Sequence, residues 1–155
     1  MSISGKFNET KEDLKTEIRL AIPEGRVTGN WRVDEHDIVM NLPYISVRFS
    51  PEILWDVYDR NIGGEIIGSI SDYHMSIHVF HSNCLCEPAC EKGKYAQDVG
   101  MRIIDRLLGV GAPLNLSPVG WDIDDLRMRE SEPSRGAHRI SRVIIEGTIH
   151  IKRID

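Results

Sequence analysis

At 155 residues, with 41% hydrophobic and 28% charged side chains, the chain is long enough to bury a core and too apolar to stay disordered. Its formal net charge of −5 excludes a uniformly basic nucleic-acid coat protein, while leaving room for a local basic patch. No apolar run approaches the roughly 20 residues of a membrane-spanning helix, so no membrane partner is expected.

Met1 to Lys6 lack the apolar stretch of a secretory signal, which sets the expectation of synthesis and folding in the cytoplasm. Residues 1–155 are expected to form a single domain. In chain order, the spacing predicts a first helix from Thr10 to Ala21. Thr10 and Asp13 resemble a capping box, Leu14, Ile18 and Ala21 with Ile22 form a narrow stripe, and Pro23 and Gly25 end it. Between residues 24 and 42, Val27–Val33 and Ile38–Met40 read as short strands around a polar turn, Asp34 to Asp37. Tyr44 to Phe49 alternates as a half-buried strand, and Ser50-Pro51-Glu52 suggests a short helical turn reaching Trp55.

After Gly63-Gly64, Glu65 to His81 is the longest β-like stretch, and the pattern leaves one strand or two open. Tyr73, Met75, Ile77 and Val79 share its cleaner apolar face. A second helix is expected over Tyr95–Leu108. Ala96, Val99, Ile103 and Leu107 form its stripe, Asp98 and Arg102 an outer pair, and Gly109, Gly111 and Pro113 its stop. Trp121 to Arg129 alternates loosely, Glu130 to Ser141 reads as a connection or hairpin tip, and Val143 to Ile151 alternates without ambiguity. The order predicts an α+β fold, a mainly antiparallel sheet with two helices packed on one face. The opposite face also carries Ile and Phe, which a neighbouring subunit could cover or which are ordinary scattered surface hydrophobes.

Chemically, the pointed feature is the loop holding His81, Cys84, Cys86 and Cys90, an imidazole and three thiols close enough in sequence to hold zinc. It has no CxxC knuckle, so free thiols or one local disulfide compete with the metal. His74 and His78 are four apart, which on a strand is about 13 Å and too far to share an ion. Asp122, Asp124 and Asp125 lack the glycine and final glutamate of a calcium loop. No nucleophile elbow, P-loop or dinucleotide fingerprint occurs, and Gly109-Val-Gly111 ends a helix rather than opening one. No enzymatic activity is expected. Arg135, His138, Arg139 and Arg142 make the approach to the last strand basic, suited to acidic groups on a neighbouring subunit or to passing nucleic acid, if it is not simply a solvated loop.

Taken together, an opening helix, Pro43-Tyr44-Ile45-Ser46-Val47, Met75 to His81, Ala96 to Leu107-Leu108-Gly109 and the Arg-rich approach from Arg139 to Ile151 resemble the tail-terminator (tail-completion) proteins of long-tailed viruses. The likeness covers roughly Tyr44 onward, through degenerate motifs, and the cysteine loop departs from the family pattern. It implies a virion protein without catalytic residues or cofactor. Such a subunit forms a homo-oligomeric ring, usually hexameric, that caps the tail tube and joins it to the head, with DNA near its lumen. Another neck or tail subunit (a head-closure or tail-tube protein) is the alternative within that class. Outside it stands a small metal-binding protein or enzyme centred on the cysteine loop.

Overall fold

The computed structural model describes residues 3–29, 34–60, 62–64, 66–82, 94–116, 121–131 and 140–154, and for 3–6, 50–60, 66–71, 94 and 152–154 it describes the backbone course alone. The fold is α+β. In chain order it runs α1 (Ile3–Ala21), β1 (Arg26–Thr28), α2 (Glu35–Met40), β2 (Tyr44–Arg60), β3 (Ile66–Ser82), α3 (Lys94–Leu107), β4 (Trp121–Ser131) and β5 (Ile140–Ile154). The strands form a five-stranded sheet of order β1-β2-β3-β5-β4. Among the described strands, β1–β2 is parallel, and β2–β3, β3–β5 and β4–β5 are antiparallel.

The core lies between this sheet and α1 with α3. Leu14, Ile18 and Ile22 of the first helical stripe meet Ala96, Val99, Ile103 and Leu107 of the second. Under them lie Tyr73, Met75, Ile77 and Val79 of β3 and Val143, Ile145, Ile149 and Ile151 of β5. Each fully buried Leu or Ile contributes roughly 1.5–3 kcal/mol, so tertiary burial holds α1 more than its propensity does. Both helices therefore pack on one face of the sheet, as the two periodicities require.

Four local expectations are corrected. The first helix begins at Ile3, two turns before the expected cap, and Thr10 is a buried interior residue. Ile38–Met40 is helical, not extended. Asp34 is its N-cap, with its side chain accepting from the His36 N–H at 3.3 Å, and Glu35 and Asp37 occupy the first turn, where acidic groups suit the helix dipole. Ser50-Pro51-Glu52 opens no helix. β2 continues to Arg60 with a register shift between Phe49 and Ile53, and a shift is where proline costs a sheet least. Arg102 reaches the Ala21 carbonyl (2.9 Å) at the end of α1 and Glu24 in the turn after it, and not Asp98.

Residues 66–82 form one strand, paired with β5 from Gly68↔Ile154 to Ser82↔Ile140. The helix α3 stops as its sequence indicates. Gly109 takes φ +74°, the Gly109 N–H donates to Arg106 O (3.1 Å) and the Val110 N–H to Asp105 O (2.9 Å), the paired bonds of a Schellman end. Among the described residues, no helix is long and apolar enough to cross a membrane.

Candidate functional site

Alternation sends every second described side chain of β2, β3, β5 and β4 to the sheet face away from α1 and α3. One end of that face is closed by the chain itself. Ile38 of α2 packs with Tyr44 and Ile140, and Val39, Leu42 and Phe80 complete a second, smaller cluster. The apolar residues of this face, expected either to meet a neighbour or to be scattered surface hydrophobes, are thus partly covered by α2, the helix whose sequence reads as a strand.

Among the described residues the rest of this face is polar except for the buried Ile144, and the register arranges it in rows. Tyr44, Phe80, Arg142 and Ser131 lie side by side across β2, β3, β5 and β4, followed by Ser46, His78, Ile144 and Arg129. Arg48, Ser76, Glu146 and Arg127 form the next row. His74, Thr148 and Asp124 come after, and then Asp72, His150 and Asp122. Among the described residues, four arginines thus share one end of the face with Glu146, and Asp124, Asp72 and Asp122 follow toward the other.

At the arginine end, Glu146 Oε2 accepts from Arg127 Nε at 3.1 Å, and Oε1 accepts from Arg129 Nε and Nη2 at 3.2 and 3.1 Å. Burial raises the Glu146 carboxyl, but these hydrogen bonds outweigh it and hold the group below its ordinary value. Arg48 donates to Ser46 Oγ (3.0 Å), and Arg142 donates to Ser131 Oγ (2.7 Å) while its guanidinium lies 5.8 Å over the Phe80 ring. Burial lowers the Arg48 pKa and repulsion from Arg142 lowers it further. His78 sits among them, hydrogen-bonded to Ser76 Oγ at 2.8 Å, with Nδ1 buried and unpartnered. Burial, and then Arg48, Arg142 and Arg129, push its pKa down to about 4, so the imidazole is neutral at physiological pH.

The other end inverts this electrostatics. His150 Nδ1 lies 2.6 Å from Asp72 Oδ1 and Nε2 lies 3.8 Å from Asp124 Oδ2. The Asp72 hydrogen bond, with Asp72, Asp124 and Asp122 nearby, raises the His150 pKa. Asp124 and Asp125 stand at a register shift in β4, where Asp125 takes φ +56°. This bulge and the charges make β4 a protected edge strand.

Of the expected site residues, Arg142 joins the arginine end, while Arg135 and Arg139 lie outside the described residues. Cys84, Cys86 and Cys90 do too. His81 is half-buried, its Nδ1 accepts the Ser82 N–H at 2.8 Å, and its ring lies 5.7 Å from Tyr95. Among the described residues, no group of three or more His, Cys, Asp or Glu could hold a metal. A shallow groove of about 430 Å³ lies elsewhere, lined by Glu24, Gly25, Arg26, Met40, Asn41 and Leu42. Arg48, Arg127, Arg129 and Glu146 drew no attention in the sequence. Their signal was there in the outward positions of alternating strands, but only register joins residues about 100 positions apart. No known family model matches the chain, and no curated protein matches it significantly. Chemically, the arginine end can bind carboxylates or phosphates through charge-assisted hydrogen bonds.

Proposed function

We propose that the protein is a structural virion component, a tail terminator whose copies form a ring that caps the tail tube and joins the tail to the head. Support comes from the order in which the fold uses the motifs that resemble that family. Pro43–Val47 leads into and opens β2 of the long β2–β3 hairpin, Met75–His81 is the end of β3, Ala96–Gly109 is α3 and its stop, and the strand after the Arg-rich approach is β5. All four belong to one helix-on-sheet layer around one core. The second face adds charge of both signs for contacts with neighbours, a more natural use of an open sheet face than catalysis.

A cap ends subunit addition to a growing tube, so its loss should be visible in the product. Deleting the gene should give unjoined heads and tails, with tails of irregular length. Mass analysis of isolated particles should find several copies of the protein at one axial level, near the head. A single copy per particle, or a protein absent from particles that assemble normally, would sink the proposal. Copies spread along the whole tail would identify a tube subunit instead.

A further inference from the structure

Among the described strands, β1 ends the sheet on the side opposite β4, and an edge strand presents backbone groups that a further strand can bond. Which groups those are follows from one hydrogen bond. The Arg26 N–H donates to Pro43 O at 3.0 Å, so Arg26 turns its backbone groups toward β2. Successive residues along a strand point their N–H and C=O groups to opposite sides, so Val27 and Gly29 turn theirs to the open side.

Both of these outward carbonyls are taken. Arg19 Nη2 donates to Val27 O at 3.3 Å, and Lys11 Nζ donates to Gly29 O at 3.0 Å. Lys11, Lys15 and Arg19 follow one another at intervals of four along α1, which sets them on one side of that helix. Residue 29 is fitted to the lysine. A Cβ there would lie 2.7 Å from Lys11 Cε and 3.0 Å from Nζ, so the lysine stem crosses the end of the strand where glycine leaves it room. The ammonium is partly buried, and burial, then the Lys15 charge, lower its pKa against the opposing pull of Glu12. A lysine free to reach water gains nothing from such a place, whereas a carbonyl acceptor compensates the lost solvation.

We propose that Lys11 and Arg19 form a clamp that closes the β1 edge against addition of a strand from a second copy of the chain. An added strand needs the Val27 and Gly29 carbonyls as acceptors for its own N–H groups, and it meets charged donors already bonded to them. A second copy is the strand excluded, because identical edges pair antiparallel about a two-fold axis. Lysine is a common guard of sheet edges, and here it acts through the backbone acceptors themselves. The opposite edge, β4, relies on another device, its register shift between Asp124 and Arg127. The clamp does not depend on the ring proposed above.

The test replaces both donors in the full-length protein, Lys11→Met with Arg19→Met, which keeps aliphatic stems and removes the charged ends. Sedimentation across a concentration series reads association beyond the wild-type species, and infrared spectra read the intermolecular β band. The added species should appear at about 10-fold lower concentration than in the wild type, the factor set by one hydrogen bond to a charged group. Adding Gly29→Pro to that variant removes an N–H that an added strand must use, and should return the profile to that of the wild type. Gly29→Ala alone leaves α1 untouched, displaces the lysine through its Cβ, and should shift the profile the same way by a smaller factor. Circular dichroism and urea unfolding establish that each variant is folded. A folded double variant that sediments as the wild type does overturns the clamp. Association that Gly29→Pro fails to reverse overturns it too, since it arises from another surface. If the double variant does not fold, Gly29→Ala decides alone, and an unchanged profile overturns the proposal.

Discussion

His78 and His150 lie on one face of one sheet, and their surroundings drive them in opposite directions. His78, buried and then repelled by arginines, has its pKa pushed down to about 4 when folded, against an ordinary value of 6.5. Protonation therefore favours the unfolded chain. The neutral ring's stability is fully present above pH 6.5 and is lost as pH falls toward 4. His150, held by Asp72, has a raised pKa, so its contribution is present below its unfolded value and is lost as pH rises through its folded one. The expected outcome for His78→Gln is a flatter decline of stability between pH 6.5 and 4 than in the wild type, measured by urea unfolding at each pH. Identical slopes would show that neither burial nor the neighbouring arginines depress the titration of this ring.

A second residue-scale constraint is Gly147, on the core face of β5 opposite Met75. A Cβ there would lie 3.2 Å from the Asp124 carbonyl oxygen and 3.0 Å from Leu126 Cδ2, where the β4 bulge passes. The backbone oxygen cannot step aside as a flexible side chain can. Gly147→Val should cost about 1–3 kcal/mol, the usual penalty of overpacking, read as a lower thermal midpoint.

Among the elements, α1 and α3 are joined by more than their apolar stripes. Arg106 donates from Nε to Glu17 Oε2 at 2.8 Å, and its Nη2 hydrogen-bonds the same oxygen. Arg106 Nη1 and Nη2 also bind the carbonyls of Ala112 and Pro113 at 2.8 and 3.2 Å, so one guanidinium ties α1, α3 and the segment after it together. Glu17 is buried, and removing one partner leaves the other charge uncompensated. Glu17→Ala should therefore cost about 3 kcal/mol in chemical unfolding, whereas Glu17→Met with Arg106→Leu should cost much less, since desolvation offsets most of a buried pair's attraction. Equal losses in both variants would mean that packing alone joins the helices.

Both long helices, the last strand and the apolar half of β3 were legible, because each repeats its period over enough residues to be distinguished. α2 was not. Six residues complete fewer than two turns, so Ile38-Val39-Met40 reads equally well as β, and Asp34 as a turn residue instead of a cap. Proline at position 51 resembles a helix start, but the register shift in β2 absorbs it. The salt bridge between Glu17 and Arg106 spans two elements and leaves no local sign.

For the whole molecule, α2 decides what the second sheet face presents. It shields Tyr44 and Ile140 and leaves the charged rows open. Ile38→Asp should detach α2 from this cluster while the main core, built from other residues, stays folded. A loss of about 2 kcal/mol with limited proteolysis near residues 35–40, and far-ultraviolet circular dichroism largely retained, is the expected result. Global unfolding would mean that the two clusters form one cooperative unit.

The sequence by itself determined the α+β class, the stripes of α1 and α3, the inward faces of β3 and β5, and the stop at Gly109. These follow from periodicities and terminators that act within a few residues of one another. Only the tertiary structure decided that Arg48, His78, Arg129, Arg142 and Glu146 lie on one end of a sheet face and Asp72 and Asp122 on the other. Strand order and register bring those side chains together, and both are set by burial summed over the whole sheet.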